Sequence, residues 1–168
     1  MSQFSLSFDA SLLVRDARGR YRPATADQIL AAARLVVDRT LQRNEAFTSP
    51  AVVKNYLCAK LAGYEHEVFA VLFLDNRHRL IEYVELFRGT IDGASVYPRE
   101  VVKEALARNA AAVIVSHNHP SGSPEPSAAD RALTANLRQA LALIEVRLLD
   151  HIVVGGNDAV AFSERGLL

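Results

Sequence analysis

Apolar positions follow two rhythms along this chain, and the first change between them comes near residue 67. From Thr25, "TADQILAAARLVVDRTLQR" places Ile29, Ala32, Ala33, Val36, Val37 and Thr40 on one face of a helix that Thr25 can cap. A second helix is predicted from Ser49-Pro50, with Ser49 as cap, Pro50 at the first helical position and Gly63 at its end. Its apolar stripe is Val52, Val53, Tyr56, Leu57 and Leu61. Then "EVFAVLFLD" and "RLIEYVELFRG" read as strands, joined by a hairpin turn at "DNRH". Helical spacing returns in "PREVVKEALARNA", and "AAVIVS" is a short apolar run suited to a strand buried on both faces. "SAADRALTANLRQALALI" is amphipathic, with Leu133, Leu137, Ala140, Leu141 and Ile144 together. "VRLLDHIVVGG" and "DAVAFSE" form a closing strand pair. Helices interspersed with strands around one core predict an α/β domain, without specifying strand order.

Length supports that picture: 168 residues suit one domain with a sizeable core. Charge adds a restriction. Lys plus Arg equals Asp plus Glu at 19 each, so no overall pull toward nucleic acid or an anionic membrane is expected. The exception is "VRDARGRYRP", with Arg15, Arg18, Arg20 and Arg22 against Asp16, inside an arm over residues 1–22 expected to be irregular. Such a run could touch a phosphate backbone, but a solvated arm is the simpler reading. The lone cysteine, Cys58, excludes an intramolecular disulfide and reads as a small apolar residue. No signal-peptide pattern or membrane-spanning stretch is legible, which suggests a cytoplasmic protein.

Candidate chemistry is concentrated in "SHNHPSGSPEPSAAD", from Ser116 to Asp130, which leaves the buried strand and enters a helix. In extended chain His117 and His119 point to one side and Asn118 to the other. Asp130, in the first helical turn, can reach back toward them. Two imidazoles and a carboxylate make a three-ligand zinc set with a fourth position for water. The simpler reading is a helix cap, because Ser127-Ala-Ala-Asp130 also fits a capping motif. The two readings are compatible. A nucleobase deaminase would need a Cys-x-x-Cys pair that one cysteine cannot supply. "HEVFA" is not a His-Glu-x-x-His helix, since Ala70 stands at the last position.

His-x-His, seven residues, Ser, two residues, Asp resembles the signature of the JAMM (MPN-plus) metalloprotease family. The surrounding strings "RGT…GASVYPREVVKEALARNAAAVIVSHNHPSG", "PEPSAAD" and "LLDHIVV" are similar to its RadC-like branch, from about Ser49 to the C-terminus. Ser123 stands where many RadC-like sequences carry Asp. The resemblance implies a single MPN/JAB-like domain over 49–168, a mixed sheet flanked by helices with cytidine-deaminase-like architecture, preceded by the arm and a helix over 23–48. It implies one Zn2+ per chain held by His117, His119 and Asp130. It further implies a hydrolase of peptide or isopeptide bonds in a peptide or protein substrate, acting through a metal-activated water. Glu67 would be the general base and Ser127 would polarise the scissile carbonyl. Glu65 competes with Glu67, which is preferred because it abuts the apolar strand. Asp150 and His151 recur in RadC-like sequences and could back the ligands or belong to the core; the structural reading is preferred. The alternatives are a DNA-associated accessory protein and a zinc-stabilised scaffold without catalysis. Neither substrate nor oligomeric state is legible.

Overall fold

The computed structural model describes residues 12–41, 47, 49–90 and 95–168. A five-stranded mixed sheet forms its centre: β3 (Val68–Leu74), β4 (Leu80–Arg88), β5 (Ala112–His119), β6 (Arg147–Gly155) and β7 (Asp158–Ala161), in the order β4-β3-β5-β6-β7. Three of its four pairings are antiparallel. β5 and β6 run parallel and are joined through α4 (Ala128–Ala142), since a parallel return needs a crossover.

Alternation along β3 and β5 sorts the core into two layers. Val68, Ala70, Leu72, Leu74, Ala112 and Ile114 pack toward Val53, Tyr56, Leu57 and Leu61 of α2 (Pro50–Leu61). Phe69, Val71, Phe73, Val113 and Val115 pack toward Val101 and Ala105 of α3 (Pro98–Ala107) and toward Leu137 and Leu141 of α4. Both faces of β3 and β5 are therefore covered, which is why those segments are continuously apolar. The α/β class and the single mixed sheet flanked by helices agree with the sequence reading.

Differences cluster at the N-terminal side. Within the arm expected to be irregular, β1 (Leu13–Arg15) and β2 (Tyr21–Pro23) pair as a small hairpin. Asp16 Oδ1 accepts from the backbone N–H groups of Arg18 and Arg20, and Gly19 takes φ +80°, which closes the turn. Residues 1–11 of that arm, and residues 42–46 and 48 at the end of the expected N-terminal helix, lie outside the described residues. Helix α1 (Ala26–Leu41) begins with a reciprocal Thr25–Gln28 cap, as its start signal predicts.

The buried face of α1 is the expected one only in part: Ile29 and Val37 are partly buried, as predicted. Ala32, Ala33 and Val36 are exposed, whereas Leu30, Arg34 and Val37 are partly buried. Arg34 donates from Nε to the Lys60 carbonyl (3.1 Å) and from Nη2 to the Ala62 carbonyl (2.7 Å), and its guanidinium lies 4.8 Å from the Tyr64 ring centroid. Hydrogen bonding to carbonyls at the end of α2 thus helps set the contacting face, a choice that apolar periodicity cannot register. Among the described residues, no helix is long and apolar enough to cross a membrane.

Candidate metal centre

Strand β5 continues past its apolar run to His119, so the His-x-His segment is extended chain. His117 and His119 consequently project on the α3–α4 side, and Asn118 projects on the α2 side. His119 then opens a turn. Pro120 takes its second position, and Gly122, at φ +84°, donates its N–H to the His119 carbonyl at 3.0 Å. The returning loop crosses the end of β6 at Gly155. A Cβ there would lie 2.4 Å from Pro124 N and 2.5 Å from Ser123 C, so only glycine permits this approach.

Asp130 stands at the third position of α4 and does two things at once. Its Oδ2 accepts from Ser127 N–H and Ser127 O–H, both at 2.7 Å, while Asp130 N–H donates to Ser127 Oγ at 3.1 Å. The same carboxylate faces the histidines, with Oδ1 3.3 Å from His117 Nε2 and Oδ2 3.6 Å from His119 Nε2. The capping box and the candidate ligand are thus one side chain. Capping aims the carboxylate at the strand end.

His117 Nε2 and His119 Nε2 are 2.9 Å apart, and one potential ligand atom from each of the three residues falls within 4.8 Å of the others. On a tetrahedral zinc with bonds of ~2.0–2.1 Å, ligand atoms sit roughly 3.3 Å apart. The separations here straddle that value, and the donor set suits zinc, so these residues could hold a metal ion. Tautomer logic points the same way. His119 Nδ1 is 2.8 Å from the Ser123 carbonyl, which can only accept, so Nδ1 carries the proton and Nε2 presents its lone pair. A lone pair and a carboxylate facing one another need positive charge between them. Hydrogen bonding to Asp130 pushes His119 above its usual pKa despite burial. Burial would raise the Asp130 carboxyl, but hydrogen bonds from His117 and His119 outweigh it and hold Asp130 far below the usual carboxylate range.

Glu67 precedes β3. Phe69 pairs with His117 in the antiparallel register, so the next step outward sets Glu67 across from His119, and its charge contributes to the raised His119 pKa. Its backbone is held on one side by the Glu67 N–H to Thr90 carbonyl bond (3.0 Å) and the Gly89 N–H to Glu67 carbonyl bond (2.8 Å). Glu65 is exposed, whereas Glu67 is partly buried. Ser127 is exposed, and its hydroxyl proton is directed at Asp130.

Sequence reasoning gave no role at the site to Asn118 or Thr134 and preferred a structural reading for His151. Asn118, buried, accepts from Val68 N–H at 2.8 Å and donates to the His66 carbonyl at 3.0 Å, bracketing Glu67 on both sides. His151 and Thr134 lie behind His117. Burial, then the charge of His117, pushes His151 well below the ordinary histidine range. The Asp150-His151 pair, read as structural, divides: Asp150 accepts from Ser163 N–H and O–H at 3.0 and 2.5 Å and anchors the turn after β7, whereas His151 turns toward the centre. The available signal was parity, since His151 follows the in–out alternation of β6 onto the histidine face.

The RadC-like JAB domain family matches residues 47–167. The chain is similar to a "UPF0758 protein" of Vibrio cholerae serotype O1, 60% identical over 141 residues, covering 84% of this chain and 89% of the relative. A namesake from Nitrosococcus oceani is 58% identical over 79% of this chain and 59% of its own length. One from Halorhodospira halophila is 57% identical over 92% and 69%. The chain therefore spans most of one relative and about three fifths to two thirds of the others.

Proposed function

The chain belongs to the RadC-like JAB domain family, and from that premise we propose that it is a zinc-dependent hydrolase of peptide or isopeptide bonds. One observation carries the reading: His117, His119 and Asp130 converge at the end of β5, with Glu67 set across from His119. A bound zinc would supply Lewis acidity and a water acidic enough to attack near neutral pH. Glu67 would accept the proton of the attacking water as its oxygen bonds to the carbonyl carbon. It would return that proton to the amine nitrogen as the C–N bond breaks, giving acid and amine. Ser127 would serve the carbonyl oxygen only after its hydroxyl rotates away from Asp130. In the arrangement seen it orients that carboxylate. A peptide or protein substrate and a cytoplasmic setting belong to the same proposal.

The test is metal content by mass spectrometry on tag-free protein, followed by an amide-cleavage screen. Wild type should hold about one zinc per chain, and Asp130→Ala should lose most of it. Glu67→Gln should keep the metal and lose roughly 10²–10⁴-fold in cleavage. Undiminished cleavage by Glu67→Gln removes Glu67 from the mechanism. Wild type that takes up no metal after reconstitution overturns the proposal.

A further inference from the structure

Behind the candidate ligands runs an unbroken line of hydrogen bonds from β5 through β6 to α4. Thr134 Oγ1 is 2.6 Å from the Asp130 carbonyl oxygen and 2.7 Å from His151 Nδ1. His151 Nε2 is 2.9 Å from His117 Nδ1. Thr134, His151 and His117 are each buried, with relative exposures of 2%, 0% and 1%.

Proton order along this line is forced from its far end. A carbonyl oxygen only accepts, so the single Thr134 hydroxyl proton points to Asp130. Thr134 then has only lone pairs for His151, and His151 Nδ1 must donate. His151 lies between the faces of Phe162 (centroids 4.6 Å, stacked) and the edge of Phe69 (6.1 Å), and no carboxylate is hydrogen-bonded to its ring. A neutral imidazole that donates from Nδ1 accepts at Nε2. His117 Nδ1 must therefore donate to it, which leaves His117 Nε2, facing His119 Nε2 and the Asp130 carboxylate, as the nitrogen that takes up a metal ion or, without one, a second proton.

We propose that His151 and Thr134 are positioning residues, a buried tautomer lock that commits His117 to metal ligation and ties Asp130 on α4 to the strand carrying both histidines. The proposal rests on the metal-site reading above. It adds that the Asp130 residue is held twice, by Ser127 at its carboxylate and by Thr134 at its carbonyl. The two ligand-bearing elements are then coupled through buried side chains. Partners that fix ligand orientation in this way typically govern 10–100-fold in metal affinity.

Isosteric substitutions separate this role from simple packing. His151→Phe keeps a ring between Phe69 and Phe162 but offers no acceptor. His151→Gln restores an acceptor near the Nε2 position. Thr134→Val removes the hydroxyl at constant shape, and Thr134→Ser restores it. Zinc affinity, read by competition with a chromogenic chelator, should fall 10–100-fold in His151→Phe and by a smaller factor in Thr134→Val. His151→Gln and Thr134→Ser should return to within a few-fold of wild type. In metal-free wild type, long-range 1H–15N correlations should show His117 protonated at Nδ1.

Wild-type affinity in both His151→Phe and Thr134→Val, or His117 unprotonated at Nδ1 in the metal-free protein, overturns the lock and leaves the metal site standing. If wild type binds no zinc, the hydrolase reading fails, and the His117 tautomer still decides the lock. If His151→Phe does not fold, Thr134→Val against Thr134→Ser decides it.

Discussion

Two docking arrangements in this molecule solve the same problem, unpaired backbone and side-chain polar groups, in opposite ways. At the N-terminal side one side chain, Arg34, reaches from α1 to two carbonyls at the end of α2, in a partly solvated setting. At the end of β5 the partners are linked to one another: Asn118 with the residues flanking Glu67, His119 with Ser123, Ser127 with Asp130, and His117 with His151, which in turn meets Thr134. Much of this network is buried. The first arrangement is modular and should yield gracefully. The second shares low-dielectric surroundings, where one lost partner leaves others unsatisfied.

The largest effect expected from breaking this contrast is at Gly155. Gly155→Ala drives a methyl group into backbone atoms of Ser123 and Pro124, which must move and take the His119 acceptor with them. A loss of about 1–3 kcal/mol in denaturant unfolding is expected from overpacking, together with loss of most metal uptake. Unchanged metal content would show that the loop does not set His119.

Next comes Asn118→Leu, which fills similar volume but strands Val68 N–H and the His66 carbonyl. About 1–3 kcal/mol should be lost, with cleavage falling while zinc affinity holds, because Glu67 and not the ligands loses its frame. A parallel fall in zinc affinity would place Asn118 with the ligands instead.

Arg34→Ala sharpens the comparison from the other side. Two partly solvated hydrogen bonds should cost about 0.5–1.5 kcal/mol each at most, with metal content and cleavage unaltered. Any change in zinc affinity would show the two regions to be coupled.

The smallest effect is the pH response of metal-free protein. His119 is raised, so its contribution is complete below the unfolded value of about 6.5 and is lost as pH rises through the higher folded value. Asp130 is lowered, so its contribution is present above about 3.9 and fades as pH falls. Metal-free wild type should melt higher at pH 6 than at pH 8.5, and Asp130→Asn should flatten that difference. An unchanged difference in the variant would detach the effect from this pair.

Much of this molecule was legible in one dimension. The continuous apolar runs of β3 and β5, the Ser49-Pro50 start of α2 and the Ser127–Asp130 cap are local patterns, and local geometry follows from neighbouring residues. The three candidate ligands meet for the same reason: two share one side of a strand, and the third sits one capped turn into the next helix. Spacing made them candidates, and the resemblance to the JAMM family singled them out as a ligand set. What closes the site was not legible, because its partners are far apart in sequence. Asn118 meets Val68 across 50 residues, His117 meets His151 across 34, and Gly155 matters only because the loop at Ser123–Pro124 passes over it. The buried face of α1 belongs to the same class, set in part by carbonyls 26 and 28 residues away from Arg34. Residue order thus made the candidate groups legible. Only tertiary packing decided which atoms they present to one another, because a hydrogen bond across a sheet depends on register and approach that local sequence does not encode.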